Sequence, residues 1–182
     1  MKRFIILVLV IAVFTAAFAT AEGVEFRTAY FTLQLPEGWE TSTDMDDMEE
    51  TEGVEWLGLF ADSADIGLVG IAYLVHYENL EDISLWNADD ETMEAYKEAI
   101  LEDFEDDDPE LIGTVTAGKI PLIVVRAADE DGEYIYADTM TNGYAIQFQF
   151  MVTDPEGEEQ YPVTDGYLAQ IEEILATFTP VT

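Results

Sequence analysis

Glu133-Tyr134-Ile135-Tyr136-Ala137-Asp138-Thr139-Met140-Thr141-Asn142-Gly143-Tyr144-Ala145-Ile146-Gln147-Phe148-Gln149-Phe150-Met151-Val152 reads as two strands joined by a two-residue turn. Asn142 and Gly143 tolerate the positive φ that a type I′ turn demands at both central positions, so the turn itself sets the pairing. With Thr141 opposite Tyr144, Thr139 meets Ile146, Ala137 meets Phe148 and Ile135 meets Phe150, which gathers one apolar face. The opposite face is mixed: Tyr134, Tyr136, Met140, Ala145 and Met151 share it with Asp138, Gln147 and Gln149. Such a face is either partly covered or a binding surface, and Tyr134, Tyr136, Met140 and Met151 are its candidate ligand-binding residues.

Working outward, strands are predicted at 111–116 and 120–127, and further upstream at 55–61 and 66–77. In the last of these Leu68, Val69, Ile71, Leu74 and Val75 form a nearly continuous apolar run, the pattern of a central strand buried on both faces. A helix follows, capped by Asn87 or Asp89, with Asp90 and Glu91 in its first turn, where the positive end of the peptide dipole favours carboxylates. Its stripe of Met93, Tyr96, Ile100, Leu101 and Phe104 predicts packing on a sheet. A second helix runs from Thr164, a hydroxyl cap, through Leu168, Ile171, Ile174 and Leu175 to Phe178. Near the start, Phe31, Leu33 and Leu35 alternate with Thr32 and Gln34 as in a strand, and residues 41–55 read as a long acidic loop. The order of strands, helix, strands and helix predicts an α+β fold: an antiparallel sheet flanked by helices.

The segment Tyr30-Phe31-Thr32-Leu33-Gln34-Leu35-Pro36-Glu37-Gly38-Trp39 resembles the opening strand and Pro-x-Gly-Trp turn of the PsbP-like family, a group that also includes the DcrB-like bacterial envelope proteins. The final helix with Ile171, Ile174, Leu175, Thr177 and Phe178 is similar to the end of such domains. This resemblance implies an α/β/α sandwich around an antiparallel sheet, and accessory or binding proteins rather than enzymes. It assigns no ligand residue here, and the acidic loop departs from the pattern.

Residues 1–21 have the form of a cleaved export signal. Lys2 and Arg3 supply a positive start, Phe4 to Ala19 is an uncharged apolar run, and Ala19-Thr20-Ala21 has the small-x-small pattern of a cleavage site. The rest of the 182-residue chain, 22–182, is then one domain, long enough to bury its own core. It keeps all 40 Asp and Glu against only Arg27, Lys97, Lys119 and Arg126, which argues against nucleic acid or anionic membranes as partners, since both need clustered cations. The expected location is secreted, periplasmic or cell-envelope. Without cysteine, no disulfide framework is available and packing alone must hold the fold.

No catalytic motif stands out. His76 is the lone histidine, and none of Ser42, Ser63 or Ser84 sits in a Gly-x-Ser-x-Gly turn. One His and no Cys leave no soft-ligand zinc site. Trp39, Trp56 and Trp86 offer a sugar-stacking alternative to their usual core role. Oxygen-rich clusters suit a hard cation such as calcium, the single cofactor the sequence raises. The strongest is Asp103, Asp106, Asp107, Asp108 and Glu110, where carboxylates crowd the negative pole of the first helix and would gain from a bound cation. The cluster Asp129, Asp131 and Glu133 fits a turn at Gly132 better than a calcium loop. The function expected is an exported, non-enzymatic accessory or binding domain for a protein or small ligand. Its rivals are a calcium-stabilised acidic module and a carboxylate-using extracellular hydrolase, which calls for a pocket with two carboxylates, one of them pushed upward by burial.

Overall fold

A computed structural model describes residues 23–46, 48, 51–154, 157 and 159–181. The expected export signal, and Asp47, Glu49 and Glu50 of the acidic loop, lie outside the described residues. The strands are β1 (Val24–Arg27), β2 (Phe31–Leu35), β3 (Glu40–Ser42), β4 (Val54–Ala61), β5 (Gly67–His76), β6 (Glu110–Ala117), β7 (Ile120–Ala128), β8 (Glu133–Thr141), β9 (Tyr144–Thr153), β10 (Gln160–Tyr161) and β11 (Thr179–Pro180). The helices are α1 (Asp90–Asp103) and α2 (Asp165–Leu175).

The main sheet runs β3-β4-β5-β9-β8-β7-β6, with β10 pairing the end of β9, and every pair is antiparallel. The Asn142-Gly143 turn forms as expected, with φ of 51° and 77°, and Thr141 pairs Tyr144 while Ala137 pairs Phe148. Gly143 is required twice over, by its φ of 77° and because a Cβ there would stand 2.9 Å from the Tyr77 carbonyl oxygen, an approach held by Tyr77 N donating to the Gly143 carbonyl. The strand order then dictates where α1 lies. Since β5 sits beside β9 but β6 is the far edge, the connection through α1 must cross over β9, β8 and β7. The return from β9 through α2 to β11 crosses the other face, so the sheet carries one helix on each side, the α/β/α arrangement.

On the α2 face, Phe31, Phe60, Phe148 and Phe150 are fully buried together with Ile171, Ile174 and Leu175 of the helix. Phe148 meets Phe31 edge-on at 5.2 Å between centroids and Phe178 at 6.1 Å, joining the main sheet to the small sheet β1-β2-β11. Trp39 belongs to this core, 6.1 Å from Phe60, so it fills space rather than forming a surface platform. The α1 face is packed differently. Ile100 is the only buried residue of α1, while Met93, Tyr96 and Leu101 are partly covered.

The structure differs from the sequence reading at the short elements. Thr41 and Ser42, expected in the loop, pair with Phe60 and Leu59 as β3, and β1, β10 and β11 are strands of only two to four residues whose pairing comes from distant partners. The cap of α1 is Asp89, whose carboxylate accepts from Thr92 N at 2.9 Å. The two helices stop at Asp103 and Leu175, one and three residues before Phe104 and Phe178, the apolar residues that end the two sequence stripes.

Because Phe148 ties the sheet to its α2-side cover, Phe148→Ala is expected to lower stability by about 3–5 kcal/mol, the usual range for a fully buried phenylalanine. Urea unfolding checks this: the midpoint falls with an unchanged slope, and a loss below about 1 kcal/mol contradicts the packing described.

Candidate functional site

Midway along β8 the alternation places Asp138 on the α1 face, between Tyr136 and Met140, and it is wholly buried. A carboxylate in such a place is costly unless its oxygens are satisfied. Three donors converge on it. Tyr96 of α1 donates to Oδ1 at 2.6 Å, Tyr136 donates to Oδ2 at 2.7 Å, and Gln147 Nε2, from the residue directly across on β9, donates to Oδ2 at 2.8 Å. Gln147 Nε2 also reaches the Tyr77 hydroxyl at 3.4 Å.

A cavity of about 250 Å³ lies between this network and α1. Asp138, Gln147, Tyr136 and Met140 contribute from the sheet, and Tyr77, Leu80 and Ile83 from the segment that follows β5. From α1 come Thr92, Ala95, Tyr96, Ala99 and Ile100, with Asp103 and Phe104 at its C-terminal end. Ala95 and Ala99 are solvent-exposed, so two methyl groups one turn apart border the mouth. Phe104 leans on Tyr136 with ring centroids 4.8 Å apart and planes tilted by 56°, forming an aromatic corner.

The electrostatics are one-sided. Burial pushes the Asp138 carboxyl above its ordinary value, against the three hydrogen bonds that favour the ionised form. Asp103 is raised as well, first by burial and then by the neighbouring charge of Glu102. Burial also raises the Tyr96 and Tyr136 hydroxyls, and the charge of Asp138 adds to it, so both stay protonated as donors. None of the four cations among the described residues lines the cavity. Lys97 pairs with Glu94 at 2.7 Å, Arg126 stands between Glu110 at 3.9 Å and Glu133 at 3.4 Å, Arg27 is 3.8 Å from Glu25, and Lys119 is exposed in the turn after β6.

The four residues proposed from sequence as ligand-binding divide. Tyr136 and Met140 line the cavity; Tyr134 and Met151 are buried elsewhere on the same face, with the Tyr134 hydroxyl donating to Asp107 Oδ2 at 3.1 Å and Met151 packed beside Val69 and Ile71. The expected metal cluster also disperses: Asp103 turns to the cavity, Asp107 accepts from Tyr134, Asp108 takes a left-handed backbone with φ of 49°, and Glu110 pairs with Arg126. Asp106 lies in the single 3-10 turn between them. Among the described residues no three His, Cys, Asp or Glu side chains are grouped to hold a metal ion. The 129–132 turn is as expected, with Asp129 Oδ1 accepting from Asp131 N and Gly132 N. His76 is exposed and stacks on Tyr144 at 4.5 Å, while Ser84 shares a hydrogen bond with the Thr141 hydroxyl. Trp86 donates from Nε1 to Thr139 Oγ1 at 3.2 Å.

Sequence reasoning placed Asp138 on the mixed face without making it a site residue, and did not connect Tyr77 or Tyr96 with it. One signal was present: a single Asp within an otherwise apolar and aromatic strand whose neighbours on both sides predict burial.

Comparison with protein-family models and with curated proteins gives no match. Among solved structures, the chain is similar to the solution structure of cyanobacterial PsbP from Synechocystis sp. PCC 6803, at 14% identity and a TM-score of 0.49, over 92% of this chain and 97% of that one. It is also similar to a crystal structure from Bacteroides thetaiotaomicron, at 15% identity and a TM-score of 0.43, over 90% of this chain and 50% of that longer chain.

The raised carboxyl of Asp138 makes a signed prediction. Above the ordinary carboxylate value of about 4, the unfolded chain has released a proton that folded Asp138 still holds, so unfolding free energy falls as pH rises to the folded value. Asp138→Asn removes that slope. Urea unfolding at about pH 4, 6 and 8 is expected to show the stability of the Asn variant improving relative to the parent with rising pH, and a pH-independent difference contradicts the assignment.

Proposed function

We propose that this chain is an exported, non-enzymatic binding domain that holds a small ligand in the cavity under α1. The observation that carries the reading is a cavity of about 250 Å³ with aromatic and aliphatic walls and a few convergent polar groups at its floor, the usual form of a small-molecule site. The floor is pre-organised: Asp138, Tyr136 and Gln147 lie on adjacent paired strands and hold one another by hydrogen bonds of 2.7 and 2.8 Å. Export rests on the form of residues 1–21, and a secreted or envelope location follows from it. Among the described residues no helix is long and apolar enough to cross a membrane.

A carboxylate-using hydrolase is the second reading, favoured by the presence of two carboxyls, Asp103 and Asp138, in one cavity. Acid and base roles call for carboxyls whose environments drive them apart. Here burial drives both upward, and Asp138 spends its oxygens on three protein donors. That chemistry serves positioning better than proton transfer.

Ala99→Phe places a ring across the mouth from an exposed helix position, where substitutions usually change stability by no more than about 0.5 kcal/mol. The parent is expected to gain thermal stability from a dialysable extract of its source cells, or to retain a small molecule in native mass spectrometry, and Ala99→Phe is expected to lose that effect while melting normally alone. Equal behaviour of parent and variant contradicts the reading. Turnover of glycoside or ester substrates abolished by Asp103→Asn supports the hydrolase instead.

A further inference from the structure

Four aromatic rings, Tyr77, Tyr96, Phe104 and Tyr136, and two carboxylates, Asp103 and Asp138, border the same cavity. Rings present a negative face to a cation, and the attraction strengthens where water is excluded. Above their raised folded-state values Asp103 and Asp138 add formal negative charge, which no cation among the described residues of the lining balances. The one described cation of α1, Lys97, is engaged by Glu94. The site is thus complementary to positive charge, and the 40 acidic residues of the chain raise the local concentration of any cation around its mouth.

The predominance of rings and apolar side chains over free acceptors narrows the kind of cation. A primary ammonium carries three N–H donors and needs three acceptors when it leaves water. A carboxylate has about four acceptor positions, and three of those on Asp138 are already taken by Tyr96, Tyr136 and Gln147. The other acceptors of the lining are Asp103, Thr92, the Tyr77 hydroxyl and Gln147 Oε1, while Leu80, Ile83, Ala95, Ala99, Ile100 and Met140, whose side chains accept no hydrogen bond of consequence, join the four rings in making most of the wall. A methylated ammonium has no N–H to satisfy and presents a spread positive charge to rings and carboxylates alike. A bare metal ion asks for several oxygen ligands grouped around it, and among the described residues no three His, Cys, Asp or Glu side chains are so grouped.

Resting on the binding reading above, we infer that the cavity under α1 is a site for a small quaternary ammonium ion, held by the Tyr77, Tyr96, Phe104 and Tyr136 rings and balanced by Asp103 and Asp138. The probe is choline, compared with its neutral isostere 3,3-dimethylbutan-1-ol and with ethanolamine, by isothermal titration calorimetry on the full chain at ionic strength fixed with potassium chloride. Choline is expected to bind one to one, with the neutral isostere and ethanolamine each weaker by at least about tenfold, the order of a desolvated cation–π contact. Asp103→Asn, at the exposed end of α1, is expected to weaken choline about tenfold and leave the isostere unchanged, and Tyr96→Phe to alter choline less than Tyr96→Leu. Equal binding of choline and the isostere overturns the charge assignment while the cavity reading stands. Ethanolamine matching choline overturns the choice of a methylated ion. Absence of choline binding overturns this inference alone, because the mouth-blocking comparison of parent and Ala99→Phe tests the cavity independently of any chosen ligand.

Discussion

A carboxylate with no exposed surface stands at the middle of β8, and the whole layer on its side of the sheet is arranged to satisfy it. Its own strand supplies Tyr136 two residues away, the neighbouring strand supplies Gln147 across the pair, and the crossing helix supplies Tyr96 from 42 residues earlier in the chain. The first two are consequences of pleat and register. The third fixes how α1 lies on the sheet, since a hydrogen bond of 2.6 Å to a buried charge tolerates little sliding.

The two faces of the sheet answer different demands. On the α2 side, phenylalanines from the main sheet, the small sheet and the chain end interlock, with centroid spacings of 5.2 Å for Phe31–Phe148 and 5.7 Å for Phe60–Phe150. That side is built as a dry core. On the α1 side only Ile100 of the helix is buried, and the helix also reaches the sheet through Tyr96, whose hydroxyl must keep a partner. The Tyr96 hydroxyl, directed at Asp138, ties the helix to the sheet through a long side chain where short aliphatic contacts would bring it closer. The cavity is the space left beneath that support, and its acidic floor and aromatic walls have the same origin.

Much of the architecture was legible in local chemistry. Asn142-Gly143 dictated a register that is found residue for residue, the apolar run of β5 marked a strand covered on both faces, and Asp89 and Thr164 cap the two helices as side-chain acceptors. What could not be read was whatever depends on distant partners. β3 forms because Thr41 meets Phe60, and β11 because Thr179 meets Thr32, neither of which leaves a periodic signature in three residues or fewer. The site was half legible for the same reason: alternation put Tyr136, Met140, Asp138 and Gln147 on one face, but only the crossover of α1 adds Tyr96, Asp103 and Phe104. Tyr134 and Met151 share the face and miss the cavity because the helix crosses elsewhere along the strands.

The most direct measurement of this account is a double-mutant cycle of Tyr96→Phe and Asp138→Asn, read by urea unfolding at neutral pH. If the buried carboxylate is what seats α1, the two changes share one hydrogen bond and their effects fall short of additivity by at least about 1 kcal/mol, as expected for a bond to a charged group. Strict additivity would mean that the helix is held by its apolar contacts alone and that Asp138 is a bystander.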